Sequence, residues 1–171
     1  MSLAPDYVEP VVGWRMWYAV DDGTGTFLSS VIHRTVWPPH EPLAAVCRRF
    51  RIPLWPFSRG RHEAPTAECT CGIHAATMAT MRAYLPDTFS RSDAIPVIGR
   101  VSLWGHVHEY ERGWRASLAY PERLYVPVVE LGSKRAARVV DDLGRYGVPV
   151  VPVGGRTADA VIEEVSYLVA A

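Results

Sequence analysis

The stretch PVIGRVSLWGHVHEYERGWRASLAYPERLYVP, residues 96–127, decides the fold of this chain. β-Branched and aromatic residues recur along both of its halves, which is typical of strands. Glu111, Arg112 and Gly113 separate the halves as a three-residue hairpin loop, in which Gly113 can take the left-handed conformation. The alternation predicts one shared face that carries Trp104, His106, His108, Tyr110, Trp114, Leu118 and Tyr120.

A second hairpin is predicted upstream of this one. Residues 14–20 and 26–32 have strand composition, and the turn residues 21–25 lie between them. The following residues, 37–65, contain six prolines and little periodicity, so they are predicted to be mostly irregular. Within them, the short apolar piece Leu43–Cys47 could form a helical turn.

Helices are predicted after the irregular stretch and in the tail of the chain. Residues 73–85 place apolar residues at helical spacing until Pro86 stops them. Further on, one helix begins at Ser133 and ends before Gly147. A strand over residues 148–153 and a last helix capped by Thr157 complete the predicted elements.

Length and composition limit the number of domains and the fold class. With 171 residues, 49% hydrophobic and 11% aromatic, the chain is predicted to fold as one domain, residues 1–171. Within it, residues 14–127 form a sheet-rich core with a Cys/His cluster, and residues 128–171 form a helix–strand–helix tail. The fold class expected is α+β: a small antiparallel sheet or partly closed barrel with about three helices.

Charge and cysteine content narrow the classes of function. The 18 basic and 18 acidic residues balance, which removes a global electrostatic argument for nucleic-acid or membrane-surface binding. No apolar run is long enough for a membrane helix and no signal peptide is visible, so we expect a cytoplasmic protein. Because thiols stay reduced there, the three cysteines are expected to be metal ligands, core residues or a nucleophile rather than a disulfide framework.

Metal-capable residues concentrate in and just after the irregular stretch. A loop of that length needs a function or something besides ladder hydrogen bonds to hold it. Cys47, His62, Cys69 and Cys71 would make a closed tetrahedral set for a structural Zn²⁺. His74 could replace one of them as fourth ligand, or be an ordinary polar residue in the first turn of a helix. The paired thiols are one residue apart instead of two, so core cysteines are the other interpretation.

Two enzymatic alternatives use the same region and the histidines of the hairpin. Cys71 at a helix N-terminus would have a lowered thiol pKa, and His106 or His108 could act as its base in a cysteine-dependent hydrolase or transferase. His106 and His108, at alternate strand positions, could instead hold a metal ion with a third ligand such as His33 or His40. Partly buried packing residues are the simpler interpretation of both histidines.

A local basic cluster contrasts with the neutral total. Arginine binds phosphate and aromatic rings stack on bases, as in proteins that bind single-stranded nucleic acid. A solvated arginine-rich loop is the simpler alternative. The basic residues are Arg48, Arg49, Arg51, Arg59 and Arg61, which surround Phe50, Trp55 and Phe57 with no acid among them.

Three motifs occur in residues 14–127: H-x-A-P-x3-C-x-C-G-I at residues 62–73, V-S-L-W-G at residues 101–105 and G-W-R-A-x-x-A-Y-P at residues 113–121. Together they resemble a family of small uncharacterised proteins of high-GC bacteria. The resemblance implies that Cys47, His62, Cys69 and Cys71 form one recurring constellation. It weakens His74 as a ligand, since an aromatic residue is usual at that position, and it implies no activity.

Overall fold

Seven strands and three α-helices form in the residues described by the computed structural model, 9–47, 62–87 and 94–170. This arrangement confirms the α+β class. None of the described helices is both long and apolar enough to span a membrane. The elements are β1 (Val11–Asp21), β2 (Thr26–Ser30), β3 (Leu43–Ala44), β4 (Ile73–Ala76), α1 (Met78–Met81), β5 (Ile95–Tyr110), β6 (Gly113–Pro127), α2 (Ser133–Leu143), β7 (Val150–Val153) and α3 (Ala158–Ala170).

The central hairpin consists of β5 and β6, the two longest strands. They pair antiparallel around Glu111 and Arg112, and Tyr110 is the register partner of Gly113. Gly113 has a φ of +148°, and a Cβ there would lie 2.0 Å from the carbonyl oxygen of Ala75. A side chain would therefore clash with β4 at this position, so the turn requires glycine. The predicted hairpin is confirmed, although its loop has two residues instead of three, because Gly113 is already paired in β6.

A β-bulge just after Trp104 reverses the alternation of side chains along β5. Trp104 pairs with Leu118 before the bulge, whereas His108 pairs with Arg115 after it. Because paired residues share a face, His108 and Tyr110 lie on the opposite face from Trp104 and Leu118. The prediction of one continuous face was therefore wrong. A bulge inserts one extra residue into a strand, and the alternation of residue types in the sequence does not show where it lies.

The strands close on themselves through a ring of pairings. In the ring, β1 pairs with β5, β5 with β6, β6 with β4, and β4 with β1 through Trp14 and Ala76. This geometry confirms the partly closed barrel. Among the described strands, only β7 pairs parallel, alongside β6, so the sheet is mixed rather than purely antiparallel. The reason is the connection through α2, which returns the chain in the same direction as in a β–α–β unit.

Two short segments predicted to be helical are strands. Ile73–Ala76 forms β4, and α-helix is limited to Met78–Met81, followed by a 3₁₀ turn at Arg82–Tyr84. Buried Ile73 and Ala75 flank exposed His74, which is the two-residue period of a strand. Likewise Leu43–Ala44 is paired with β6 instead of forming a helical turn. In both places the edge of β6 supplies hydrogen-bond partners that local periodicity does not reveal.

The C-terminal helices cover opposite faces of the sheet. Leu143 of α2 belongs to the core around Trp17, and Val161 of α3 belongs to a second core around Tyr125. The predicted start at Ser133, the left-handed Gly147 with φ of +67° and the cap of the last helix are confirmed. In that cap, the backbone N–H of Ala160 donates to Thr157 Oγ1 at 3.3 Å.

Candidate metal centre

Four potential ligand atoms converge at the end of the irregular stretch. One from each of Cys47, His62, Cys69 and Cys71 lies within 4.8 Å of all the others. The Sγ atoms of Cys47 and Cys69 are 3.8 Å apart, and Cys71 Sγ is 4.0 Å from the ring nitrogens of His62. A tetrahedron with Zn–S bonds of about 2.3 Å has S–S edges of about 3.8 Å. The four side chains therefore have the composition and spacing of a closed metal site.

The edge of β6 brings the distant parts of this set together. β3 and β4 both pair with β6, where Ala44 pairs with Leu118 and Ile73 pairs with Ala116. Ala45 continues the first pairing, because its N–H donates to the carbonyl of Ser117 at 2.8 Å. The end of β3 and the start of β4 therefore lie next to each other along β6. Consequently Cys47 and Cys71 meet although they are far apart in sequence.

The turn Cys69-Thr70-Cys71-Gly72, which we call the knuckle, presents two of the thiols. Gly72 has a φ of +122°, and a Cβ there would approach Pro65 Cβ at 3.1 Å and Arg115 Cβ at 3.2 Å. The backbone N–H of Cys71 bonds to the Cys69 thiol and is the main cause of its lowered pKa, about 6. Burial instead raises the pKa of Cys71, with the neighbouring thiols adding to the effect. The pKa values of the two knuckle thiols are therefore shifted in opposite directions.

Arg115 fixes the knuckle to the sheet. This buried side chain donates to the carbonyl oxygens of Cys69 and Cys71, the latter at 3.1 Å, and to the hydroxyl of Tyr110. Its guanidinium also lies 4.6 Å from the centroid of the Tyr110 ring. Three thiolates around a divalent ion leave a net negative charge, which Arg115 would offset. The motif G-W-R-A contained this residue, but only the register of β4 and β6 shows its role.

His74 lies beside the knuckle and outside the ligand group. Its Nε2 donates to the carbonyl of Thr70 at 3.0 Å, which ties the exposed turn to β4. Desolvation is the main cause of a lowered pKa of this imidazole, with nearby Arg15 and Arg115 adding to it. The arrangement favours a structural role for His74 over ligation.

The other predicted residues have different fates. Cys71 precedes a strand, so the helix N-terminus that would have activated it as a nucleophile was wrong. His106 lies in the β-bulge, and neither it nor His108 belongs to any group of three potential ligands in the described residues. The predicted basic cluster falls outside the residues that the structure describes: Arg48, Arg49, Arg51, Arg59 and Arg61.

Comparisons with known proteins give no assignment for the chain. No protein-family model, curated protein or solved structure matches it. The resemblance to small proteins of high-GC bacteria therefore stays a prediction.

Proposed function

We propose that this protein is a zinc-stapled binding module that acts in the cytoplasm. Cys47, His62, Cys69 and Cys71 would hold one Zn²⁺, because three thiolates and an imidazole suit this ion and four ligands complete its coordination. A complete set leaves no open position for substrate, so the ion is structural. The observation that carries the proposal is the mutual distance of at most 4.8 Å among the four ligand atoms.

The metal would join the two ends of the basic segment, residues 48–61. Its immediate neighbours in the chain are Cys47 and His62, so two ligands of the same ion bracket it. A metal bond at each end lowers the entropic cost of holding the segment in one place. Five arginines and three aromatic residues, without an acid, favour single-stranded nucleic acid as the partner. A protein partner is the alternative.

Metal content tests the first half of the proposal. Protein purified without chelator or metal-affinity resin should contain about one zinc per chain by mass spectrometry. Its three thiols should resist titration until the chain is denatured. A metal-free protein whose thiols react before denaturation would contradict the staple. That result would leave a cysteine-dependent hydrolase or transferase as the hypothesis to test.

Oligonucleotide binding tests the second half. Arg48→Ala/Arg49→Ala should weaken binding of a labelled oligo(dT) in low salt, measured by fluorescence anisotropy, with zinc content unchanged. Losing two phosphate contacts should also reduce the slope of log K against log salt by about 1.4. Lys134→Ala/Arg135→Ala is the matched control, because it removes the same charge from an exposed part of α2. If the zinc-loaded protein binds no oligonucleotide, the nucleic-acid role is wrong and a protein partner becomes the hypothesis to test.

A further inference from the structure

Three ionisable side chains form a row across adjacent strands beside the knuckle. Arg115 of β6 is the register partner of both His74 of β4 and His108 of β5. Paired residues share a face, so all three lie on the side of the sheet opposite to buried Ala75 and Ala116. Tyr110, two residues beyond His108, continues the row on the same face. We call these four residues the outer row.

The aromatic end of the outer row is accessible. Tyr110 is 45% exposed, although Arg115 occupies one side of its ring. The rings of His108 and Tyr110 have centroids 6.5 Å apart and planes inclined by 30°. Two rings at alternate positions of a strand can each stack on a base, which is how sheet surfaces bind unpaired nucleotides.

The charge of this face complements a phosphate backbone. In the described part of the chain, no carboxylate forms an ion pair with any member of the outer row. Glu109 pairs with Trp114 and so lies on the opposite face of the hairpin. Arg15 adds a further positive charge beside the row, where it donates to the carbonyl of His74. None of the four side chains of the row is acidic, so a negatively charged strand would meet no carboxylate that belongs to the row.

The outer row also adjoins the proposed zinc site. Arg115 contacts the carbonyls of Cys69 and Cys71 and the hydroxyl of Tyr110, so one guanidinium links the knuckle to the exposed ring. The ligands Cys47 and His62, which flank the basic segment, meet at the same place. The outer row and the two residues that flank the basic segment therefore lie beside the same turn.

We infer that the outer row is a base-stacking surface for single-stranded nucleic acid, with Tyr110 and His108 as the stacking residues. The inference rests on the proposed function and extends it from the basic segment to the sheet. Arg115 positions Tyr110 and supplies positive charge beneath it. A single strand should bind more tightly than a duplex of equal length, because bases in a duplex are not free to stack on protein rings.

The test uses the zinc-loaded full chain and a fluorescein-labelled oligo(dT) of about twelve nucleotides. Tyr110→Ala should weaken binding about tenfold, the effect of losing one stacked base. Tyr110→Phe, which keeps the ring, should stay within about twofold of the original affinity. Tyr167→Ala is the control, because it removes a tyrosine that is 75% exposed on α3, and it should change nothing.

His108→Ala provides an independent variant in case Tyr110→Ala disturbs Arg115 and loses zinc. It should weaken binding by about three- to tenfold at unchanged zinc content. If Arg48→Ala/Arg49→Ala weakens binding but Tyr110→Ala and His108→Ala do not, the stacking surface is wrong and the proposed function stands. If the unsubstituted protein binds no oligonucleotide at low salt, both fail together.

Discussion

The knuckle region, residues 62–72, and the C-terminal unit, residues 133–170, are both anchored on β6 but are held in different ways. In the C-terminal unit, Leu143, Tyr146 and Val161 are at most 1% exposed and pack into the two cores. In the knuckle region, only Ala64 and Pro65 are buried. Burial of apolar side chains therefore orders the C-terminal unit, whereas hydrogen bonds between a few polar atoms order the knuckle region.

The difference shows what a metal would contribute to this fold. The polar contacts of the knuckle region include a turn between Thr66 and Cys69, the bonds from Arg115 and the bond from His74 to Thr70. A neutral hydrogen bond stabilises a folded chain by only about 1 kcal/mol, and one from a charged group such as Arg115 by about 1.5–3 kcal/mol. A Zn²⁺ ion bonded to four side chains would add far more than any of them. We therefore expect the knuckle region to depend on the metal, and the C-terminal unit to depend on its packing.

The largest expected effect comes from breaking the metal site with Cys71→Ser. The protein should lose its zinc, and hydrogen exchange should accelerate in residues 62–76 while α2 and α3 keep their protection. A metal present at a thousandfold excess over its dissociation constant stabilises by about 4 kcal/mol, so the melting temperature should fall by about 8–16 °C. Mass spectrometry and calorimetry measure both quantities.

Thr70→Ser is the control for this substitution. It changes an exposed side chain between the two knuckle cysteines and leaves the thiols and the backbone contacts in place. Zinc content and melting temperature should stay at their original values. Equal loss of protection in the knuckle region and the C-terminal unit after Cys71→Ser would show that the two are not held independently.

The features that the sequence predicted correctly are those with local signals. The C-terminal helices were predicted because their apolar stripes and end residues are local signals, seen at Ser133, Gly147 and Thr157. The ligand set was predicted from residue type and density alone. For the helices, neighbouring residues carried the signal. For the candidate ligands the signal was their residue type, and the structure brings the four side chains within 4.8 Å of one another.

The failures occurred where long-range pairing decides the structure. Residues 73–76 fit a helical stripe and a strand alternation equally well, and the open edge of β6 selected the strand. The bulge after Trp104 moved His108 to another face. The contacts of Arg115 with the knuckle follow from the register of β4 and β6, which the sequence does not show. No local pattern contains that information, because the residues that decide each structure lie on another strand.

A smaller effect is expected from Tyr146→Phe in the C-terminal unit. The buried Tyr146 hydroxyl accepts from the N–H of Leu28 at 2.9 Å and donates to the carbonyl of Trp37 at 2.8 Å. The substitution leaves both groups without this partner, so the free energy of unfolding should fall by about 1–3 kcal/mol. Urea denaturation measures the loss, and zinc content should not change. Loss of zinc would contradict the separation of the two regions.

The same variant should change the response to alkaline pH. Burial is the main cause that raises the pKa of Tyr146 to about 12 in the folded protein. The fold favours the neutral hydroxyl, so this contribution to stability is complete below about pH 10, the ordinary tyrosine value, and is lost as pH rises towards about 12. Tyr146→Phe should flatten the decline in stability over that range. If the decline in stability is the same in the variant, groups other than Tyr146 cause it.

The smallest effect is expected from Tyr125→Phe, which sharpens the comparison within the packed region. The Tyr125 hydroxyl is buried and has no hydrogen-bond partner among the described residues, whereas its ring stacks on Trp14 at 6.0 Å between centroids. Phenylalanine keeps the ring and removes only the unsatisfied group, so the unfolding free energy should change by less than about 0.5 kcal/mol or rise slightly. Both tyrosines are equally hidden from solvent, and the two variants delete the same atom. A loss as large as that of Tyr146→Phe would mean that burial alone sets the cost, whereas a negligible change would show that the cost depends on the hydrogen-bond partners.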